Sequence, residues 1–286
     1  MKGFKGPRIQ GFEFIKELTR LLMGESKIYA TSGITLTETL DPLNPRTLNP
    51  LGASDNIDLS LGELMKAQLL KVYQILFETF GPQHWWPGET PFEVMVGAIL
   101  TQNTSWKNVE VSILHLKENR VMSPEGIYRL KMSVLASMIT SSGCFRIKAS
   151  RLKTFVDFLF EEFDGDIDKM GKVPLEELRE KLLGVKGIGP ETADSILLYG
   201  LKQPIFVIDA YTKRVLSRHG IISEKASYVE VQSLFMKNLP LHEKLFNEYH
   251  ALFVHLGKTV CKKIPKCDIC PLKRARRKAQ GARRKG

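Results

Sequence analysis

The stretch "LLGVKGIGPETADSILLYG", residues 182–200, decides how the rest of the chain is read. Apolar residues on either side of it recur at helical intervals, and its middle interrupts both helices. A helix beginning near Pro174 ends at Gly184, a tight turn "VKGIG" follows, and Pro190 stands where proline is favoured in the first turn of the next helix. Gly187 and Gly189 let the backbone turn sharply and let another molecule approach without a Cβ in the way. The first amides of the new helix have no intrahelical acceptor, and the positive end of its dipole suits a phosphate, with Lys186 adding charge beside them. Taken alone, the glycines fit an ordinary tight helical corner equally well.

Working outward, helical periodicity with Gly, Pro and Ser punctuation predicts helices near 91–103, 106–119, 123–129, 131–140, 146–163, 174–183, 190–200, 210–219, 227–237 and 241–256. An earlier one runs from the capping-box pair Ser60 and Glu63 to Gly81. The one strand-like run, "PIFVID" at 204–209, is too isolated to build a sheet, so the fold class is all-α. Residues 1–60 differ in texture. One amphipathic segment, "FEFIKELTRLLM", precedes a Thr-, Pro- and Asn-rich run without period, which reads as an extension or disordered arm; true initiation near Met65 is an alternative.

The chain has 286 residues, 43% hydrophobic and 26% charged, the composition of a soluble globular protein. No apolar run is long enough to span a bilayer and the start lacks a signal-peptide pattern, so a cytoplasmic, intracellular protein without membrane attachment is expected. The net charge of +11 is unevenly spread: the tail "PLKRARRKAQGARRKG" has eight basic residues and no acidic one, leaving +3 for the remainder. Such a tail, residues 273–286 above all, either clings to polyanions or is simply solvated.

Eighteen residues beyond Glu191, Asp209 ends the apolar run and opens the basic helix "AYTKRVLSRHG". A lone Asp there serves as an N-cap. Hairpin, apolar run, aspartate and basic helix in this order resemble the helix-hairpin-helix DNA glycosylases, specifically their endonuclease III branch, over about residues 65–272. The resemblance implies two helical subdomains, one of about 90–205 and one joining N- and C-terminal helices within 61–272, with the active site in the cleft between them. It also implies a monomer acting on double-stranded DNA with damaged bases, a hairpin (Lys186, Gly187, Gly189, Thr192) that grips DNA, and a catalytic Asp209.

Bifunctional members of that branch carry a Schiff-base lysine two residues after the second hairpin glycine; here the position is Glu191, which cannot form an imine. Lysine-dependent lyase chemistry is therefore not expected, and hydrolysis by water remains. The block "WWPGETPFEVMVGAILTQNTSW" is similar to the 3-methyladenine DNA glycosylase subgroup, which also has Glu at the hairpin position. That likeness implies a base pocket of Trp85, Trp86 and Trp106 with Glu191 as its floor, Lys258 beside it, and Gln102 inserted where the flipped base lay. The chemistry is consistent: a base alkylated on a ring nitrogen is a cation and a good leaving group, so electron-rich rings can select it and one carboxylate can serve the sugar and water. The implied activity is release of alkylated purines, 3-methyladenine first. Endonuclease III-like action on oxidised pyrimidines and a non-catalytic DNA-binding module are the alternatives.

Cys261, Cys267 and Cys270 lie in "CKKIPKCDIC", a candidate metal loop over 261–272. Endonuclease III relatives often hold a [4Fe–4S] cluster there through four cysteines; here the fourth position is Arg276 and the first interval is one residue short. A cluster with a fourth ligand of another kind, a zinc site using His255 or another group, or a degenerate relic without cofactor remain open. Cys144 is expected to be a buried core residue.

Overall fold

The computed structural model describes residues 61–273. The expected extension over 1–60 with its amphipathic segment and Ser60, and the tail beyond 273 with Arg276, lie outside the described residues. Among the described residues every regular element is helical. They are α1 (Leu61–Phe80), α2 (Pro91–Leu100), α3 (Trp106–Glu118), α4 (Pro124–Arg129), α5 (Met132–Met138), α6 (Phe145–Phe163), α7 (Ile167–Gly171), α8 (Leu175–Gly184), α9 (Pro190–Ser195), α10 (Ala210–Arg218), α11 (Tyr228–Asn238) and α12 (Glu243–Thr259). None is long and apolar enough to cross a membrane.

The chain divides into two compact units. Among the described residues one takes 61–84, Ala210–Leu239 and 251–273; the other takes Trp85–Asp209 and Pro240–His250. In the first unit α1 packs on α11, Phe235 meets Phe253 edge-on with centroids 6.1 Å apart, and the Tyr211 ring lies where a Cβ on Gly257 would come within 2.5 Å.

The second unit is organised by α2 and α6. Thr90 caps α2 by accepting from the Glu93 amide at 3.1 Å, with Pro91 at the first position. Every residue of α2 after Pro91 is buried, because its apolar residues run round the whole helix. On α6, Leu152, Phe155, Val156 and Leu159 recur at helical spacing and have no exposed surface, each worth about 1.5–3 kcal/mol of burial. The buried amine of Lys148 ties the two helices by donating to the carbonyls of Leu100 (2.8 Å) and Ser142 (2.5 Å). Its pKa is lowered, first by burial.

Three expectations change and one, the unpaired "PIFVID" run, is met. The helix expected over 190–200 is α only to Ser195 and then widens to a π turn over Ile196–Gly200, where the Leu201 amide reaches back five residues to the Ile196 carbonyl at 3.1 Å. The short α7, capped by Asp166, is not anticipated, because five residues carry too little periodicity to register. The "PIFVID" run is extended but pairs with no strand; Ile205, Phe206, Val207 and Ile208 are all buried, and Phe206 meets Phe246 and Tyr249 edge-on at 5.3 and 5.7 Å. Cys144 is exposed rather than buried, since it occupies a left-handed position (φ +45°) immediately before α6.

Candidate active site

The hairpin joins α8 to α9. Gly187 is required on two grounds: its φ is +96°, and a Cβ there would come within 2.5 Å of the Arg151 side chain. Gly189 differs, with an ordinary φ of −95° and no atom within 4 Å of where a Cβ would stand, so its bareness serves the space outside rather than the turn. Lys186 is exposed beside it. Behind the hairpin, Arg179 on α8 donates from Nε to Asp194 Oδ1 at 2.7 Å and from Nη2 to Oδ2 at 3.2 Å, a bidentate pair whose carboxylate has no exposed surface.

Gln102, just after α2, is tied to the hairpin. Its Nε2 donates to Thr192 Oγ1 at 2.9 Å and to the Gly187 carbonyl at 3.2 Å, while Arg151 donates to its Oε1. Thr192 is buried, and its side chain braces Gln102. One turn apart on α6, Lys148 and Arg151 thus grip both the end of α2 and the residue it presents.

Asp209 immediately precedes α10, and its side chain keeps 11% exposure. His250 of α12 places Nε2 3.7 Å from Asp209 Oδ2, and its Nδ1 is hydrogen-bonded to the hydroxyl of Tyr199 in the π turn. Burial, then Asp209, push the Tyr199 pKa well up, so the phenol stays protonated. Glu191, in the first turn of α9, is exposed as a residue yet its carboxyl is crowded by protein; this desolvation, then the charge of Asp209, raises its pKa against a smaller lowering by His250.

The three tryptophans cluster. Trp86 is central, with its ring centroid 5.3 Å from Trp85, 5.2 Å from Trp106 and 5.1 Å from Tyr199, whereas Trp85 and Trp106 are 6.4 Å apart. Gly97 of α2 admits this packing, since a Cβ there would come 3.2 Å from Trp86 Nε1 and 3.3 Å from the Trp106 ring. Trp106 donates to Glu110 at 2.6 Å. All three are partly exposed, and hairpin, Gln102, Glu191, Asp209 and tryptophans belong to one unit. Lys258 belongs to the other unit, exposed in the last turn of α12, where its charge follows burial in lowering the His255 pKa.

Arg151, Arg179, Asp194, Tyr199 and His250 are absent from the expected site. Their partners lie 15 to 51 residues away in the sequence, and no local pattern marks them. The cysteine loop is held by α10: Arg214 donates to the carbonyls of Cys261 (2.8 Å) and Gly257 (2.9 Å), and Arg218 to those of Lys262 (2.6 Å) and Lys263 (3.0 Å). Cys261, Cys267 and Cys270 line one recess with Arg218 and His219, but among the described residues no three His, Cys, Asp or Glu side chains are grouped to hold a metal ion. His255, one of the open candidates for a zinc ligand, packs its ring on Phe80 at 4.5 Å. Among the described residues the three thiols meet no fourth donor, and three thiolates do not complete a cubane.

Comparison with known proteins identifies the family. The provisionally named DNA repair glycosylase of Methanocaldococcus jannaschii is 47% identical over 207 residues, covering 72% of this chain and 94% of that protein. Endonuclease III of Thermotoga maritima is 30% identical, covering 64% of this chain and 81% of its own length. Among solved structures, H. pylori 3-methyladenine DNA glycosylase bound to 1,N6-ethenoadenine has a TM-score of 0.58 at 30% identity, covering 70% of this chain and 98% of that one. Residues 96–241, which run from α2 through the hairpin and Asp209 to the end of α11, match the family of base excision repair proteins built on this hairpin, and the chain belongs to the HhH-GPD superfamily of base excision DNA repair proteins.

Proposed function

We propose that this protein is a monofunctional DNA glycosylase that hydrolyses the N-glycosidic bond of alkylated purines, 3-methyladenine foremost, in double-stranded DNA and leaves an abasic site. The observation that carries the substrate class is the cluster of Trp85, Trp86 and Trp106 in the same unit as Glu191 and Asp209. A ring-alkylated base is cationic, and each face it presents to such a ring gains about 0.5–2 kcal/mol. The likeness to the H. pylori 3-methyladenine enzyme supports the same assignment.

In this reading the enzyme acts as a monomer inside the cell. The hairpin backbone at Gly187 and Gly189, with Lys186, holds the phosphates of the strand. Gln102 fills the space left by the extruded nucleotide. Asp209 stabilises the oxocarbenium-like sugar and orients the attacking water. Glu191, whose pKa is raised by burial and by Asp209, is the proposed floor of the pocket and a hydrogen-bond partner for the base. Because Glu191 takes the position of the lyase lysine, the product is an intact abasic site.

The test is release of free base from a methylated duplex, with Asp209→Asn abolishing release while DNA affinity is retained. Activity that survives this substitution refutes the mechanism. The kinship with endonuclease III favours a second reading, release of oxidised pyrimidines. A lesion panel decides between the two, and a borohydride-trapped DNA adduct would show that another amine supplies lyase chemistry. Salt-sensitive binding with no base release from any lesion would instead favour a DNA-binding module.

A further inference from the structure

We infer that His250 is a positioning residue for Asp209: its ring, fixed from behind by Tyr199, presents an Nε2 proton to the carboxylate and holds it in the orientation that hydrolysis requires. This rests on the reading of Asp209 as the catalytic carboxylate.

A histidine on the apolar face of a helix is ordinarily a satisfied core residue. His250 is not satisfied. It is 5% exposed, and among the described residues its Nε2 has no hydrogen-bond partner, with Asp209 Oδ2 the facing charge at 3.7 Å. Leaving such a group unpaired is costly, and a position needed only for packing would be better served by leucine or phenylalanine. The other nitrogen fixes the direction of the proton. If Nδ1 carried it, a bare Nε2 lone pair would face the carboxylate, two acceptors opposed in a buried setting. With the Tyr199 hydroxyl donating to Nδ1, the Nε2 proton points at Asp209, and a small movement of the carboxylate closes the gap to a hydrogen bond.

The experiment uses full-length protein and the lesion that the wild type releases fastest from a panel of alkylated and oxidised bases, under single-turnover conditions, with duplex affinity and melting midpoint measured in parallel. His250→Leu is expected to slow release on the order of 10- to 100-fold, the scale of a misplaced reacting group, at unchanged affinity. His250→Gln can return an N–H to the Nε2 position and is expected within about threefold of wild type, whereas His250→Asn reaches Tyr199 but not Asp209 and remains slow. Tyr199→Phe, which frees the ring, falls between. Should His250→Leu fail to fold, the Gln and Asn pair decides alone. Equal rates for Gln and Asn, or a wild-type rate for His250→Leu, overturn the inference. Asp209→Asn separates the two levels: if it stays active the reading of Asp209 fails, and if it is inactive while every His250 variant is normal only the role of His250 fails. A wild type that releases no lesion removes both.

Discussion

Replacing Arg179 by methionine strips the partner from a carboxylate with no exposed surface. Asp194 is held through two charge-assisted bonds of 2.7 and 3.2 Å, and the pair joins the two helices of the hairpin. At about 3 Å and an effective dielectric of about 20, the Coulombic attraction is roughly 5 kcal/mol before desolvation is subtracted. Breaking a buried pair from one side costs about 3–5 kcal/mol, because the survivor is left as an uncompensated charge. Two facts favour the lower end: the Arg179 side chain retains 22% exposure, and Asp194 has further interactions of its own. Arg179→Met should therefore destabilise the second unit by about 3 kcal/mol, and at roughly 3 °C per kcal/mol its melting midpoint should fall by about 10 °C. All three tryptophans belong to that unit, so selectively excited tryptophan fluorescence reports its unfolding. The double variant Arg179→Met with Asp194→Leu removes both charges and should recover at least about half of the loss, since apolar replacement of a whole buried pair is often neutral. A loss below about 1 kcal/mol in the single variant, or strict additivity in the double, would refute the reasoning, because contacting partners must couple.

Three further outcomes are expected. Trp86→Ala, which removes the ring in contact with both other tryptophans and Tyr199, should cost about 2–4 kcal/mol of stability, while Trp106→Ala should chiefly slow base release; denaturation and excision measured on both variants check the ranking. Glu191→Gln should be more stable than wild type at neutral pH. The folded pKa of Glu191 is raised, so the native state holds its proton more tightly than the unfolded chain, and stability present below the unfolded value of about 4.3 is lost as pH rises through the folded pKa. The advantage of the variant must therefore vanish in acid and grow with pH, and an advantage that is constant across a melting series is the contrary result. Gly187→Ala should cost about 1–3 kcal/mol from its left-handed φ and the Arg151 contact, whereas Gly189→Ala should leave the melting midpoint nearly unchanged and weaken duplex binding.

What the sequence disclosed is what local rules can carry. Pro190 after the turn, Gly184 at the end of α8 and the apolar spacing of α6 each encode their own geometry within one or two helical turns. Asp209 is legible because it stands at the junction of an apolar run and a helix, a position with few uses. The support behind these residues is not encoded locally. Arg151 looks like any basic residue on the partly exposed side of α6, and only the folded chain brings it to Gln102. His250 sits among apolar residues with nothing nearby to distinguish it from core, because its partner Asp209 belongs to another segment. Cys144 misleads for the opposite reason: cysteine favours interiors, but a left-handed turn residue ahead of a helix is held outside by the backbone whatever its side chain prefers.

The second unit is not contiguous, since Pro240–His250 returns to it after the whole of Ala210–Leu239 has gone to the first. During synthesis the tryptophans, the hairpin and Asp209 therefore leave the ribosome well before the segment that covers Phe206 with Phe246 and Tyr249 and delivers His250. Until then the apolar run at 205–208 has no lid, and the nascent chain carries an exposed greasy strip in the meantime. A message cut short after Asp209 would yield a product with every residue of the hairpin and none of this closure, which makes it a client for chaperones or proteases rather than a weakened enzyme.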